Sequence, residues 1–398
     1  MLLPLEGYRL LDLADEKGAH CTKTLAELGV DVVKVEPPDG DPMRRIPPFA
    51  RDVPHPEGSL FFAYYNTSKR SITLNLESAA GRVLLKRLVS RFDLMVESFS
   101  PGTLARLGLD YNSLREVNKS LILTSITGFG QTGPHSHYKA PDLISFAMGG
   151  PMYTSGEAGR EPCVAPGNLA YGVAGAWAAA GTIIALYHRA ATGEGQHIDV
   201  SAQEAAAMIT DSALTRLSCD GIVASRQGNS YLSVTPGNLY PCKDGWVRIV
   251  AGQIVHWRRL VSWMGHPKPF DNPEWENREL RNKNKASVDQ VVSHFTCRFT
   301  CEEIFVEGQR LGVPVSPMNT PLEYMNSAVA KARGFFVELE HSVLGRHLYA
   351  RPPYKFTETP ARDPRPAPLL GQHNEEIYCG ELGFSRNDLC VLRAEGAI

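Results

Sequence analysis

Strand-like and helix-like segments alternate along the first 130 residues of the chain. The short apolar runs YRLLDLA (8–14) and VDVVKVE (30–36) flank the helix-patterned CTKTLAELG (21–29). The same order continues with RSITLNL, SAAGRVLLKRLVSRF, DLMVESF and LILTSITGFG. Repeated strand–helix–strand units predict an α/β fold with a parallel, doubly wound sheet, whose ligands bind beyond the carboxyl ends of the strands. No GxGxxG motif follows the first strand, so a dinucleotide site is not indicated.

The composition is that of an ordinary globular protein. Hydrophobic residues make up 43% of the chain and charged residues 21%, with a net charge of -2, so no overall charge attracts nucleic acid or an anionic membrane. The N-terminus has no signal-peptide pattern and the eight cysteines are irregularly spaced, which predicts a reduced, cytoplasmic setting. The uncharged run 169–187 is rich in Ala and Gly. It predicts a buried helix that other backbones approach closely, rather than a membrane span.

The pattern changes in the middle of the chain. NLYPCKDGWVRIVAG (238–252) predicts a hairpin with its turn at 243–245, within a smaller α+β domain with linkers over residues 226–334. A Pro-rich segment, 351–373, then leads into a helical C-terminus. We assign residues 1–225 and 335–398 to a large Rossmann-like domain.

Three potential metal ligands occur in SHFTCRFTC. On one helix, His294, Cys297 and Cys301 would share a face, as metal ligands can. A fourth ligand is not evident nearby, so we interpret them as buried helix residues and predict no metal site.

Eight motifs occur in an order that resembles the class III CoA-transferases, the family that includes formyl-CoA transferase, carnitine CoA-transferase and the α-methylacyl-CoA racemases. They are LAELGVDVVKVEPPDGDPMRR, NTSKRSITLNL, VESFSPGTLARLGLDY, SITGFGQTGP, TGEGQHIDVS, KDGWVRIVAG, LGVPVSPMNT and PAPLLGQHNEEI. The resemblance covers essentially the whole chain. It implies a large Rossmann-like domain built from both chain ends, a small middle domain and an interlocked, ring-like dimer. It also implies coenzyme A or acyl-CoA as substrate, with no tightly bound cofactor.

The resemblance further implies a set of CoA-binding residues. Phosphates of CoA require Arg or Lys, and its adenine requires an apolar face. The implied contacts are Arg44, Leu74, Ser98, Phe99, Arg106 and Lys139. The neighbouring Lys69 and Arg70 are open to two interpretations, as charges that protect a strand edge or as nucleotide contacts.

The chain departs from the family at the nucleophile. Family transferases use an aspartate at the start of the apolar helix, and the matching position is Tyr171. A phenol has a reference pKa of about 10, so it supplies little anion at neutral pH. The racemase branch is disfavoured as well, because the resemblance places its catalytic His at Pro141 and its Asp at Tyr171.

Other charged residues lie near this position by motif. Asp142 is a weak candidate to replace the nucleophile, and Asp15, Lys17 and Glu97 are further neighbours. Their ordinary roles are helix caps, strand-end charges and solvated loop residues.

The sequence therefore predicts a CoA-transferase component that moves CoA between a donor such as succinyl-CoA and a carboxylic acid. We expect the subunit that lacks the nucleophilic Asp, paired with an Asp-bearing paralogue, as in benzylsuccinate CoA-transferase. The alternatives are a non-enzymatic acyl-CoA-binding protein and a stand-alone transferase or isomerase with a relocated nucleophile. An aromatic dicarboxylate as acceptor rests on the benzylsuccinate analogy alone.

Overall fold

A computed structural model describes residues 3–230 and 234–398 of the chain. The chain divides into two compact units. The large unit comprises the residues up to 152, 164–214 and 329–398, and the small unit comprises 153–163 and 215–328. The predicted boundaries lie a short distance along the chain from these, but 153–163 was assigned to the large domain and belongs to the small unit.

The large unit is built on a six-stranded parallel sheet. Its strands are β1 (Arg9–Leu13), β2 (Asp31–Glu36), β3 (Arg70–Thr73), β4 (Leu94–Glu97), β5 (Ile122–Thr127) and β6 (His197–Ser201), in the order 3-2-1-4-5-6. This confirms the predicted doubly wound α/β sheet. The strand order reverses between β1 and β4, which makes the carboxyl ends of these two strands the expected ligand site.

Helices cover both faces of this sheet. The helices of this part of the chain are α1 (Ala19–Glu27), α2 (Leu60–Tyr65), α3 (Ala79–Val89), α4 (Thr103–Arg106), α5 (Tyr111–Val117), α6 (Asp142–Met148), α7 (Pro151–Thr154), α8 (Leu169–Thr192), α9 (Ala202–Ala207) and α10 (Ala213–Asp220), the last of which belongs mostly to the small unit. Neighbouring strand residues divide between two apolar clusters: Leu11, Val33, Met95 and Leu123 belong to one, and Leu10, Val32, Leu94 and Ile122 to the other. Both strand faces are therefore buried, which explains the continuous apolar runs.

Helix α8 is the uncharged run of the sequence. By length and composition it could cross a membrane, yet its Ala174 and Ala178 are fully buried in a cluster of the sheet. A Cβ added at Gly175 would lie 2.8 Å from the His20 Cβ and 3.0 Å from the Cys21 nitrogen. The predicted close approach of another backbone is therefore made by α1. The opposite side of α8 exposes Trp177 and Tyr187.

The small unit contains an antiparallel sheet of β7 (Gly237–Pro241), β8 (Trp246–Val250) and β9 (Val315–Pro317). The first two strands form the predicted hairpin, with its turn at 243–245. Its helices are α11 (Ile254–Trp263), α12 (Arg278–Lys283), α13 (Lys285–Thr296), α14 (Cys301–Arg310) and α15 (Pro321–Asn326).

The prediction for His294, Cys297 and Cys301 is wrong in its geometry. Helix α13 ends at Thr296 and α14 begins at Cys301, so the three residues do not share one helix. Cys297 is exposed and Cys301 is half-buried, rather than both being buried. In the described parts of the chain, no group of three or more His, Cys, Asp or Glu residues could hold a metal ion.

The C-terminal part returns to the large unit. It contains α16 (Ala328–Arg333), a hairpin of β10 (Phe336–His341) and β11 (Gly345–Ala350), the Pro-rich segment, a π-helical turn (Glu375–Glu381) and α17 (Arg386–Ala394). The hairpin was not predicted. Ile377 and Tyr378 are fully buried in the cluster that contains Leu11, so both chain ends build this unit.

A buried ion network lies beneath the carboxyl ends of β1 and β2. The Lys69 ammonium, which is fully buried, donates to Asp12 and Thr22 at 2.8 Å each. Lys34 lies 3.8 Å from the other oxygen of Asp12. Lys69 therefore neither protects a strand edge nor faces a ligand, and both interpretations from sequence are wrong.

Arg70 has a different structural role. It pairs with Asp31, Glu376 and Glu381. It therefore joins the start of β3, an edge strand of the sheet, to the second strand and to the C-terminal π-helical turn, and it is not a nucleotide contact.

We predict that Lys69→Ala lowers the free energy of unfolding by about 3–5 kcal/mol, because it leaves part of the buried Asp12 charge unpaired. Arg45→Ala is the matched control. It removes an ion pair with Asp39 whose side chains are 64% and 71% exposed, and it should cost less than about 1 kcal/mol. Urea unfolding of both variants tests this. Equal losses would contradict it.

The ligand cleft and the Tyr171 chamber

A cleft of about 550 Å³ opens at the carboxyl ends of β1 and β4 in the large unit. Leu13 ends β1 and lines the cleft, and Ser98–Ser100 follow β4 along its wall. The cleft thus occupies the switch point of the strand order.

The structure brings four of the six predicted CoA contacts together here: Leu74, Ser98, Phe99 and Lys139 line the cleft. Leu74 is buried within an apolar cluster just after β3. Lys139 reaches the cleft from the loop that follows β5. Arg106 is not among the lining residues, but it pairs with Glu77, which is, at 2.8 Å. It therefore lies at the rim.

Arg44 has another role, and its predicted contact with CoA is wrong. Its guanidinium is 1% exposed and donates to Glu36 at 2.6 and 2.8 Å and to Glu57 at 2.5 Å. It also lies over the Phe62 ring, 3.8 Å from the centroid. These contacts occupy the side chain inside the protein, where it cannot meet a phosphate.

The charged residues Asp15 and Lys17 of the LADEKG loop after β1 are paired within the protein. The Ser98 hydroxyl donates to the Asp15 carboxylate at 2.6 Å, and the Asp15 backbone N–H donates to the same hydroxyl oxygen at 2.8 Å. Lys17 forms an ion pair with Asp15. Asp15 is therefore engaged with the cleft wall and with Lys17, and is not a free carboxylate.

A smaller chamber of about 250 Å³ adjoins the cleft. The two cavities share the lining residues Lys17, Ser98, Phe99, Ser100 and Lys139. The chamber also contains Tyr171, Glu16 and Pro141 in its wall. Tyr171, which the resemblance places at the family's nucleophile position, therefore lies next to the cleft.

Tyr171 is 5% exposed, and its hydroxyl donates to the Ala140 carbonyl at 2.8 Å. Burial raises the pKa of this phenol, and the nearby Glu16 and Asp15 carboxylates raise it further. The side chain is neutral at physiological pH and is held as a hydrogen-bond donor.

Asp142 is the first residue of α6, and it accepts the Tyr171 backbone N–H at 2.8 Å. Asn168, at the N-cap of α8, makes no side-chain cap bond. Asp142 therefore caps α8 from a neighbouring segment. Burial raises the pKa of its carboxyl, against the opposing effect of these backbone hydrogen bonds.

Glu16 is the site residue that the sequence reasoning missed. It lines the chamber with Tyr171, and within the described parts of the chain its side chain has no hydrogen bond to another side chain. Burial, and then the charge of Asp15, raise the pKa of this carboxyl. The only signal in the sequence is its place in a loop at the carboxyl end of β1.

Glu97 supports the cleft wall from behind. It is 2% exposed and accepts the Phe99 backbone N–H at 2.7 Å. Ser125 hydrogen-bonds to it as well, and the Ser125 hydroxyl lies 2.9 Å from the His197 Nε2. Burial raises the pKa of Glu97 to about 7.

An open parallel sheet with a partly apolar cleft at its switch point is the arrangement of α/β proteins that bind nucleotide-containing ligands. Comparison with known proteins narrows this class. The model of CoA-transferase family III matches residues 5–374. The chain belongs to this family, and the named relatives below are CoA-transferases.

Two curated relatives match nearly full length. The succinyl-CoA:(R)-benzylsuccinate CoA-transferase subunit BbsE of Thauera aromatica is 35% identical over 400 residues, covering 97% of each chain. The formyl-CoA:oxalate CoA-transferase of Streptomyces avermitilis is 33% identical and covers 100% of both. Among solved structures, a CAIB/BAIF family protein from Brucella suis matches with a TM-score of 0.85 and 29% identity, over 96% of this chain and 100% of that one.

We predict that Glu97 makes the stability depend on pH. Its pKa rises from an ordinary 4.5 to about 7 in the folded protein, so the native state binds more protons than the unfolded chain between these values. Stability must then fall as the pH rises through this window. From pH 5 to pH 8, wild type should lose about 2–3 kcal/mol relative to Glu97→Gln, which keeps an acceptor for the Phe99 N–H. If the free energies of unfolding of the two proteins, measured with urea, depend on pH in the same way, the raised pKa of Glu97 is contradicted.

Proposed function

We propose that this chain is the subunit of a two-subunit class III CoA-transferase that lacks the nucleophile. It binds CoA or acyl-CoA in the cleft and pairs, in an interlocked dimer or higher heteromer, with a paralogue that carries the catalytic Asp. One observation carries the proposal: Tyr171, at the nucleophile position, is a buried neutral phenol that donates to the Ala140 carbonyl.

The transfer of CoA by this family requires a nucleophilic carboxylate. A carboxylate nucleophile attacks the acyl-CoA carbonyl and expels the CoA thiolate, which leaves a mixed anhydride. The thiolate then attacks the enzyme-side carbonyl of this anhydride, which releases the donor carboxylate and leaves an enzyme–CoA thioester. The acceptor carboxylate attacks the thioester and expels the CoA thiolate, which then takes the acceptor acyl group from the second anhydride and frees the enzyme carboxylate. The first step needs an accessible, ionised nucleophile, and burial keeps the Tyr171 phenol protonated by raising its pKa.

The other carboxylates are engaged elsewhere. Asp142 caps α8, Asp15 is bound to Ser98 and Lys17, and Glu97 lies behind the wall. Glu16 differs, because it lines the chamber without a side-chain partner in the described parts of the chain. It favours a second candidate function, a stand-alone transferase in which Glu16 replaces the aspartate.

The names of relatives support the first candidate. One is called a subunit of a succinyl-CoA:(R)-benzylsuccinate CoA-transferase, and another is the beta subunit of a succinyl-CoA–L-malate CoA-transferase from Chloroflexus aurantiacus, 31% identical over 404 residues. By analogy we propose succinyl-CoA as donor, an aromatic dicarboxylic acid as acceptor, and a cytoplasmic location.

We predict that the protein binds CoA and that Lys139→Ala weakens binding about tenfold, because it removes a charge-assisted contact of the cleft. Isothermal titration calorimetry with free CoA measures this. Arg115→Ala is the control, since Arg115 is exposed, pairs with Glu194 and is not a lining residue. Binding that is absent at millimolar CoA, or equally weak in both variants, would contradict the prediction.

We predict that no residue of this chain becomes acylated or forms a CoA thioester. The chain, alone and with its paralogue, is incubated with succinyl-CoA, trapped with hydroxylamine or borohydride, and mapped by peptide mass spectrometry. The expected adduct lies on an Asp of the paralogue, because a buried phenol does not supply the anion.

Two variants sharpen this experiment. Glu16→Gln should leave the trapped adduct and the turnover of the assembly unchanged if the chain is the non-catalytic subunit. A stoichiometric adduct on Glu16 that this variant abolishes would establish the stand-alone function instead. An adduct on Tyr171, abolished by Tyr171→Phe, would overturn both.

A further inference from the structure

A third cavity of the large unit, the 333–363 pocket, encloses about 260 Å³. Its lining residues come from the end of α16, the two residues before the hairpin and the Pro-rich segment after it, all between Arg333 and Asp363. It shares no lining residue with the cleft or with the chamber.

The pocket lies at the opposite edge of the sheet from the cleft. The Arg362 backbone N–H donates to the Glu27 carbonyl at 2.9 Å, and its guanidinium donates to the Gly29 carbonyl at 3.3 Å. Glu27 ends α1, and Gly29 leads into β2. Arg362 therefore sits at the amino ends of the strands, whereas CoA is expected at their carboxyl ends.

The wall of the pocket carries an excess of positive charge. Arg333, Arg351, Lys355 and Arg362 line it with one acid, Asp363, which pairs with Arg351 at 2.8 Å. Lys355 is exposed and has no hydrogen bond or ion pair in the described parts of the chain. Burial, and then the charge of Arg365, lower the pKa of Arg362. An anion in the pocket would compensate these charges.

Aromatic side chains form another part of the wall. The rings of Tyr354 and Phe356 lie 5.3 Å apart between centroids, and Phe335 also lines the pocket. The Tyr354 hydroxyl is buried and has no hydrogen-bond partner among residues 3–230 and 234–398. A buried hydroxyl without a partner is costly, and an acceptor on a ligand would satisfy it.

We propose that the 333–363 pocket binds a small flat anion, an aromatic ring that carries a carboxylate or phosphate group. The ring packs against Tyr354 and Phe356, and the anionic group pairs with Lys355 and the neighbouring guanidinium groups. Such a ligand has two sources, an aryl carboxylic acid or a nucleotide. The site is distinct from the CoA cleft and does not rest on the proposed function.

Isothermal titration calorimetry at low salt tests the proposal with benzoate and with AMP as separate probes, on the full-length protein or on the assembly if a paralogue is required. We expect saturable binding of at least one probe. Lys355→Ala and Tyr354→Phe should each weaken it by about fivefold or more, because each removes a polar contact. Benzoate binding alone would assign an aryl acid, and AMP binding alone a nucleotide.

Two controls separate this pocket from its alternatives. Lys331→Ala removes an exposed charge of α16 that does not line the pocket, and Lys139→Ala weakens the CoA cleft. Neither should change the affinity for the probe. The proposal is overturned if no probe binds up to about 10 mM, if Lys139→Ala abolishes binding while both pocket variants retain it, or if a second polypeptide fills the pocket in a crystal structure of the assembly.

Discussion

The buried ion network around Asp12 determines the shape of the ligand site. A carboxylate at the centre of a parallel sheet is costly unless it is paired, and Lys69 and Lys34 supply the pairing. Lys34 also donates to the Ala14 carbonyl and pairs with Asp41 at 2.7 Å. Ala14 leads into the LADEKG loop and Asp41 lines the cleft. Lys34 therefore pairs with the buried Asp12 carboxylate and also contacts Ala14 and Asp41, which lie on two segments beside the cleft.

The sheet was predictable because its signal is local. The central strands β1, β2, β4 and β5 are buried on both faces, and the helices α1 and α3 between them are amphipathic, so the order of these elements follows from neighbouring residues. The roles of Arg44 and Lys69 were not predictable in this way: Asp12 lies 57 residues from Lys69, and Glu36 reaches Arg44 across an irregular loop that has no period of its own. The break between α13 and α14 did carry a local signal: Thr300 and Glu303 form a capping box, whose spacing marks a helix start.

The candidate site was predictable in position but not in detail. The family motifs identified Tyr171 and four of the cleft residues, and Ser98 and Phe99 also follow the carboxyl end of a strand, where a parallel sheet binds its ligands. Glu16 lies in an irregular loop, where neither the helical nor the strand period tells which way a side chain points. The sequence shows that Asp142 is a carboxylate, but it does not show that Asp142 caps α8, because the start of α8 lies about thirty residues further along the chain.

The two adjoining cavities share Lys139 but differ in their other charges. In the cleft, the acids Asp41 and Glu77 pair with Lys34 and Arg106, and Lys139 lies beside apolar residues that suit the adenine of CoA. The chamber presents Glu16 beside the neutral Tyr171, and the charge of Lys17 is already matched by Asp15. Lys139 lines both cavities, so the chamber offers an entering acid one cation as well as the Glu16 carboxylate. The feature by which the chamber departs from the family is therefore the neutral Tyr171 phenol at the nucleophile position, not the charge of its wall.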